Sequence, residues 1–370
     1  MNERLHIVCL DAPSPPDYGG AIDMFYTIRA LASIGKKPVL HYFNYRKERG
    51  VEGLEHDCEE IFSYPRKSFS ASMPFSKPYI IGSRTNDELV QRLNAEKGQI
   101  LLEGLHCTGI VSAIKDQTRI SLRLHNEEAE YYRRLSITER SLLKKIYLKR
   151  ESRLLKKWYR QLPSSLSISC LSQSDEELIQ QNYGLNNTRF IPCFIPWQKI
   201  RSTTGRGSYC LYHGNMSVSE NQAAAAWLIT QVFSKLQVPF VIAGNSVSKY
   251  LYELSKPHPH IRLVNHPSME EIDQLVQQAQ VHVLPSFNST GVKLKLLHAL
   301  AEGRFCLANA AGAKGSAVEN LTVIADSAEG FIEKIKELWQ RDFSEAEIKN
   351  RQNLLTVYDN AANAKMISER

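Results

Sequence analysis

The order of short apolar runs constrains the fold of this chain more than any other feature: strand-like runs alternate with helix-like patterns, stop at a polar stretch, and then start again. The first series contains LHIVCL (5–10), PVLHYF (38–43), GQILLEGL (98–105), ISLRLHN (120–126) and LSISCLS (166–172). A helical pattern runs from about Ala21 to Ile34 and is closed by Gly35, which supplies a left-handed cap. After IPCFIPW (191–197) comes RSTTGRGS (201–208), polar and Gly-containing, with the character of a linker. The second series contains SYCLYHGNM (208–216), PFVIAGN (239–245), IRLVNH (261–266), VHVLPSF (281–287) and RFCLAN (304–309). Helical patterns accompany it at 220–236, 269–278, 292–301 and 329–340. Strands that alternate with helices imply parallel sheets with right-handed crossovers. The expectation is two similar doubly wound α/β halves joined by a hinge near residue 200.

A chain of 370 residues is long enough for two domains of common size. The first apolar run is too short for a signal-peptide core and reads as a buried strand. No stretch approaches the ~18–20 apolar residues that span a bilayer. The seven cysteines are odd in number, scattered and never spaced as CxxC, so they read as reduced core residues in a cytoplasmic protein. The net charge of +7 is regional: residues 133–160 hold eleven Lys or Arg against two Glu, a local +9, and the remainder is slightly acidic. Nucleic-acid binding is disfavoured, because few aromatic residues interleave with that basic segment.

In open α/β sheets ligands bind beyond the carboxyl ends of the strands, so the loops there carry the information. Gly19 and Gly20 open a helix after the first strand. They fit either a plain turn or a backbone that approaches a phosphate or carboxylate. Neither GxGxxG nor GxxxxGK[ST] is present, which disfavours nicotinamide-cofactor and P-loop readings. The segment PSFNSTGVKLKLLHALAEG (285–303) is a polar loop that feeds an amphipathic helix. It fits either a capped helix with a solvated lysine face, or a diphosphate site built from free N–H groups and Lys293 or Lys295. His258, His260 and His266 lack metal-ligand spacing and read as loop residues. His125, at the end of an apolar strand, fits a hydrogen-bonded structural role or a catalytic one, and His106 is equally open.

The ordered set PPDYGGA, LRLHNEEAEYY, LYHGNM with Asn221 and Trp227, VIAGN and LPSFNSTGVKLKLLHALAEG resembles the retaining glycosyltransferases of family 4, in particular bacterial members of surface-polysaccharide and protein-glycosylation loci. The resemblance spans about residues 5–340, and LLTVYDNAANA (354–364) resembles the family's last helix. It implies a GT-B fold, two Rossmann-like domains facing a central cleft. Residues 1–197 would form the acceptor-side domain, joined by a C-terminal helix at about 350–370, and residues 198–349 the nucleotide-sugar domain.

Carried over by position, the resemblance makes His125 the catalytic residue beside the transferred sugar. Gly19, Gly20, Gly214, Asn215, Ser289, Thr290, Gly291, Val292, Lys293, Lys295 and His298 become donor-binding, and His106, Asn126 and Glu127 acceptor-side. Thr290 and His298 stand where many members have glutamates. Asn215 replaces an arginine, and a family lysine position falls near Glu220. His298 is then expected to bond the donor ribose, and glutamate at that position to be tolerated. The implied reaction moves a sugar, with retention, from a UDP- or GDP-linked donor to a glycan, lipid-linked or protein-linked acceptor. No metal and no cofactor are expected, since the DxD motif is absent. A catalytically silent nucleotide-binding protein is the rival reading, favoured by the altered acids. Leu143, Tyr147, Leu154 and Trp158 recur at helical spacing. The surrounding basic residues (133–160) are accordingly either a solvated face or an attachment to an anionic membrane at its cytoplasmic side.

Overall fold

The structure is a computed structural model and describes residues 4–69, 76–139 and 141–369. Residues 1–3, 70–75 and 370 and, within the basic segment, Arg140 lie outside the described residues. The chain divides into two compact units. Residues 1–133, 146–196 and 358–370 form the first, and residues 134–145 and 197–357 the second.

The first unit is built on seven parallel strands: β1 (Arg4–Cys9), β2 (Val39–Asn44), β3 (Glu60–Pro65), β4 (Gly98–Glu103), β5 (Ile120–Leu124), β6 (Ser167–Cys170) and β7 (Thr188–Phe190). Their order is β3-β2-β1-β4-β5-β6-β7, with Ile7 of β1 opposite Leu40 of β2 and Leu101 of β4. The order reverses at β1, which sits between β2 and β4 as in a doubly wound sheet. Ile7, Val8, Leu40, Phe43, Ile100, Leu102, Leu122 and Ile168 are fully buried, which is why these strands read as near-continuous apolar runs. The sequence reading passes over β3 and β7. Both are edge strands and only partly buried, so their apolar signal is weak.

Helix α1 (Gly19–Ser33) follows β1, and helices α2 (Glu128–Thr138) and α3 (Leu142–Tyr159) follow β5. Helix α4 (Gln173–Tyr183) starts where the Ser172 side chain accepts from Asp175 N and ends at Gly184, whose φ is +68°. Helix α3 corrects the sequence reading. Its docked face is Glu151, Ser152, Leu155 and Tyr159, whereas Leu143 is 82% exposed and Leu154 and Trp158 are half-buried. Polar anchors set that rotation: Glu151 accepts from the Tyr79 N–H, and the Tyr159 hydroxyl accepts from the Glu128 N–H. A pattern read from apolar residues alone misses them.

The second unit has six parallel strands: β8 (Cys210–His213), β9 (Phe240–Gly244), β10 (Ile261–Asn265), β11 (Val281–Leu284), β12 (Phe305–Ala308) and β13 (Val323–Ile324). Their order is β10-β9-β8-β11-β12-β13, again reversing beside β8. Its helices include α5 (Ser219–Trp227), which continues into a π-helical turn at Leu228–Phe233, α6 (Met269–Gln278), α7 (Leu294–Glu302) and α8 (Ala328–Trp339). Ser268 and Glu271 form a capping box at the start of α6. Helix α9 (Asn360–Ser368) returns to the first unit, packs on α1 and buries Ala364 in that unit's core. All seven cysteines are buried and unpaired. No helix among the described residues is long and apolar enough to cross a membrane.

Candidate active site

In the first unit the carboxyl ends of β4 and β5 bring together a buried charge network. His125, one residue past β5, places Nε2 2.8 Å from Oε2 of Glu103 and 3.5 Å from Oδ2 of Asp23. Arg123 donates to both oxygens of Asp23, at 3.0 and 3.2 Å, and to the carbonyls of Ile191 and Pro192. The Phe194 N–H donates to Asp23 at 2.7 Å. The other oxygen of Glu103, Oε1, is buried without a partner. The His125 pKa moves as the sum of opposed effects. Burial is the largest single one and lowers it, but the Glu103 hydrogen bond and the Asp23 and Glu103 charges outweigh burial, and the net shift is upward. Asp23, Glu103 and His125 offer three ligand atoms within 4.8 Å of one another. Arg123 already supplies counter-charge that a cation would bring, so the cluster is a hydrogen-bonded charge network that orients the histidine.

Gly20 lies against the other imidazole nitrogen. A Cβ there would sit 3.4 Å from His125 Nδ1 and 3.2 Å from the Tyr18 ring, so any larger residue would cover the nitrogen. Gly19 opens α1 without a side-chain cap from Tyr18, which leaves first-turn N–H groups for a ligand or water. His106 is half-buried with Nδ1 unpartnered. Burial, followed by the charges of Arg84 and His125, pulls its pKa well below the usual value and keeps it neutral. Asn126 donates to Glu128 at 3.4 Å. Glu127 is a correction. It is fully buried, accepts from the Tyr183 hydroxyl at 2.5 Å and from the Glu130 N–H, and so caps the start of α2 instead of facing a ligand.

In the second unit the loops after β8, β9 and β11 converge. A Cβ on Gly244 would stand 1.7 Å from the Gly214 carbonyl oxygen, so the two loops touch through backbone alone. The Asn215 carbonyl accepts from Asn221 Nδ2 at 2.9 Å. Lys295 sits in the first turn of α7, half-buried, with Nζ 3.0 Å from both the Tyr212 hydroxyl and Asn221 Oδ1 and 4.5 Å from the Tyr212 ring centroid. Burial, only partly offset by Glu220, lowers its pKa to about 8. Glu220 is in turn bonded by the Ser286 hydroxyl.

The 286–293 loop is internally braced. Thr290 is buried and both its N–H and its hydroxyl donate to Asn288 Oδ1, at 3.0 and 2.8 Å. Gly291 has φ +66°, Ser289 and Val292 are half-buried, and Lys293 Nζ donates to the Thr290 carbonyl at 2.7 Å. Helix α7 begins at Lys293 without a side-chain cap, so its first N–H groups are available beside Lys295.

His298 departs from expectation. It is 4% exposed, stacks on Trp197 at 4.4 Å and 14°, and turns Nε2 toward Asp273 Oδ1 at 3.1 Å. The ring is stacked inside the unit, while Nε2 makes no hydrogen bond among the described residues, so the geometry shows a packed side chain and not one presented to a ribose. Asp273, His298 and Glu302 also offer three ligand atoms within 4.8 Å, but Glu302 pairs with Arg201 at 3.4 Å and accepts from Gln277.

Sequence reasoning missed Asp23, Glu103, Arg123, Tyr212 and the bracing Asn288. Glu103 and Arg123 did leave a signal: each is a charge inside an otherwise apolar strand, next to its carboxyl end. Such a residue needs a buried partner.

Residues 207–341 match a family described as glycosyl transferases group 1. A protein of Klebsiella pneumoniae described as an uncharacterized 44.6 kDa protein in the cps region is 25% identical over 331 residues, covering 85% of this chain and 84% of that one. Among solved structures, sucrose-phosphate synthase of Thermosynechococcus elongatus superposes with a TM-score of 0.71 at 13% identity, over 100% of this chain and 98% of that one. HepE of Anabaena, in complex with UDP and glucose, gives 0.67 at 12% identity, over 100% and 99%. The fold is GT-B, two α/β units each built on a parallel sheet. Together, the domain match and the fold support a glycosyltransferase.

Proposed function

We propose that this protein transfers a sugar, with retention of configuration, from a UDP- or GDP-linked donor to a glycan or lipid-linked acceptor in surface-polysaccharide assembly. The observation that carries the reading is Lys295, a half-buried cation at the uncapped start of α7, beside the backbone contact of Gly214 and Gly244. That constellation suits the two charges of a leaving diphosphate, and it lies within the residues that match glycosyl transferases. HepE, whose structures hold UDP and UDP-glucose, supports a nucleotide-linked donor. The Klebsiella relative from a cps region supports the polysaccharide context.

In the reaction the sugar C1–O bond to the diphosphate breaks and a C1–O bond to the acceptor hydroxyl forms. The hydroxyl proton passes to the departing diphosphate oxygen. Lys295 and the α7 N–H groups stabilise the charge that develops there. On the first unit His125, fixed by Glu103, keeps Nδ1 beside Gly20, a group suited to bond a sugar hydroxyl. Incubation with UDP-glucose, then with other UDP- and GDP-sugars, tests the reading without any acceptor, because a transferase of this kind releases free sugar slowly by hydrolysis. Nucleotide binding without hydrolysis of any donor would favour the catalytically silent alternative.

Membrane attachment belongs to the same reading. Leu142, Leu143 and Ile146 on α3 are 74, 82 and 65% exposed, and Lys144, Lys145 and Lys149 stand among them. Apolar side chains in a basic setting match an anionic lipid surface, the place of a lipid-linked acceptor.

A further inference from the structure

On the first unit a second cationic site lies beyond the carboxyl ends of β2 and β3, outside the His125 network. Tyr45, one residue past β2, is 42% exposed and ringed by three guanidinium groups. Arg66, Arg46 and Arg84 have Cζ at 4.4, 5.2 and 5.7 Å from its ring centroid. Arg66 also lies over the Tyr79 ring at 4.8 Å, so its guanidinium contacts two tyrosines.

The charges there do not cancel. Arg46 is bonded to Asp11, and Arg49 to Asp17, with Asp11 at 3.6 Å. Arg66 and Arg84 meet no carboxylate among the described residues; Glu151, which accepts from the Tyr79 N–H, is bonded to Arg150. Four guanidiniums against two carboxylates leave an excess of two positive charges. Arg84 is 3% exposed and directs Nε and Nη1 to the Leu10 and Ile80 carbonyls at 2.6 and 2.8 Å. Arg66 directs Nε to Ser83 Oγ at 3.1 Å. The remaining arms, Nη2 of Arg84 and both Nη of Arg66, donate to nothing among the described residues. Burial, and next to it the charge of Arg66, lowers the Arg84 pKa, as expected for like charges left without a counter-ion.

Burying an arginine without an acid is costly unless something else supplies the charge. Both Nη groups of Arg66 form a planar fork that matches the bidentate geometry of phosphate oxygens, and Nη2 of Arg84, a side chain anchored by backbone carbonyls, adds one further donor. An excess of two charges suits a phosphate dianion or a diphosphate better than a single carboxylate. We infer that this site binds a phosphoryl group, and that the acceptor recognised by the first unit is a phosphate- or diphosphate-bearing molecule. The inference rests on the glycosyltransferase reading for the word acceptor, but not for the binding site.

Titration calorimetry with two probes distinguishes the sources of such a group: glucose 1-phosphate for a water-soluble sugar phosphate, and farnesyl phosphate in neutral detergent micelles for a lipid phosphate. Glucuronate serves as the carboxylate control, and UDP and GDP report the second unit. The expected result is saturable binding of at least one phosphate probe, weakened about tenfold or more by Arg66→Met, with UDP or GDP affinity unchanged. Binding of only one probe supports the site and identifies the source. Arg66→Gln, which keeps a donor toward Ser83, gives the same reading should Arg66→Met fold poorly. The inference is overturned if neither probe binds, if both Arg66 variants bind as the wild type does, or if glucuronate binds as tightly as glucose 1-phosphate. Phosphate-probe binding without any nucleotide binding would leave this site standing and remove the donor reading. The reverse result would do the opposite.

Discussion

Nε2 of His125 lies 2.8 Å from Oε2 of Glu103, a carboxylate with no solvent exposure. This contact fixes the ring: Nε2 carries its proton toward Glu103, and Nδ1 is the nitrogen left facing Gly20. The imidazolium form is favoured, since Glu103 and Asp23 raise the pKa against the effect of burial.

Activity that needs the imidazolium is full at low pH and falls as pH rises through the raised pKa. Replacing Glu103 by Gln removes the charge that raises it, so the alkaline limb of the pH–rate profile should move to lower pH. His125→Ala should cut transfer by about tenfold or more, a little over 1 kcal/mol on the barrier, with nucleotide affinity nearly unchanged. A Glu103→Gln profile that overlays the wild type would separate the carboxylate from the chemistry.

Lys295 gives a second pH signature of known sign. Its pKa is lowered to about 8 by burial, so the ammonium is present at neutral pH and lost above. Affinity for UDP or GDP should therefore fall between about pH 7 and pH 9.5. Lys295→Arg, which keeps its charge throughout, should flatten that dependence, and Lys295→Ala should weaken binding about tenfold at neutral pH. Calorimetry across that range decides it. Unchanged affinity in Lys295→Ala would pass the phosphate role to Lys293 or to the backbone.

The sheets and most helices were legible because buried parallel strands leave unbroken apolar runs and amphipathic helices leave a periodic one. Helix α6 was expected at 269–278 and spans Met269–Gln278. The site was legible only as loops. Glu103 and Arg123 look like isolated charges until β4 and β5 pair, with Glu103 opposite Arg123. Asp23 is a hundred residues from Arg123, and no local pattern joins them. The burial of His298 was not legible for a related reason: helical phase gives a side chain's direction, but not the Trp197 ring stacked on it.

Gly244 is where a single methyl should do most damage. Its Cβ would overlap the Gly214 carbonyl at 1.7 Å, and backbone cannot rotate aside as a side chain tip can. Gly244→Ala should destabilise the second unit by about 3 kcal/mol or more, and nucleotide binding should be lost with it. Gly184→Ala is the control. Its φ is +68° but nothing lies within 4 Å, so only the left-handed backbone opposes it, at a cost of about 1 kcal/mol. Equal melting temperatures for the two variants would contradict the close approach.

Glutamate at position 298 tests the revised place of His298. The substitution would remove the Trp197 stacking partner and set a third carboxylate beside Asp273 and Glu302. His298→Glu should lower stability by on the order of 1–2 kcal/mol, without a gain in UDP or GDP affinity. His298→Gln, neutral and able to donate toward Asp273, should be milder. A rise in nucleotide affinity in His298→Glu would restore the ribose-holding role.

The exposed end of α3 allows a test that separates charge from insertion. Leu142, Leu143 and Ile146 would each contribute about 1.5–3 kcal/mol if fully buried in an acyl layer, and each lysine on the order of 1 kcal/mol near an anionic surface. The two contributions respond differently to salt, because charge is screened and apolar burial is not. Wild-type protein should sediment with phosphatidylglycerol-rich vesicles at low salt and partly release at high salt. Leu143→Glu should reduce binding at both salt levels, whereas Lys144→Gln with Lys145→Gln should reduce it chiefly at low salt. Soluble donor hydrolysis should be unaffected by either change, since neither touches the His125 or Lys295 networks. No sedimentation with the vesicles at low salt would make this end of α3 a solvated surface.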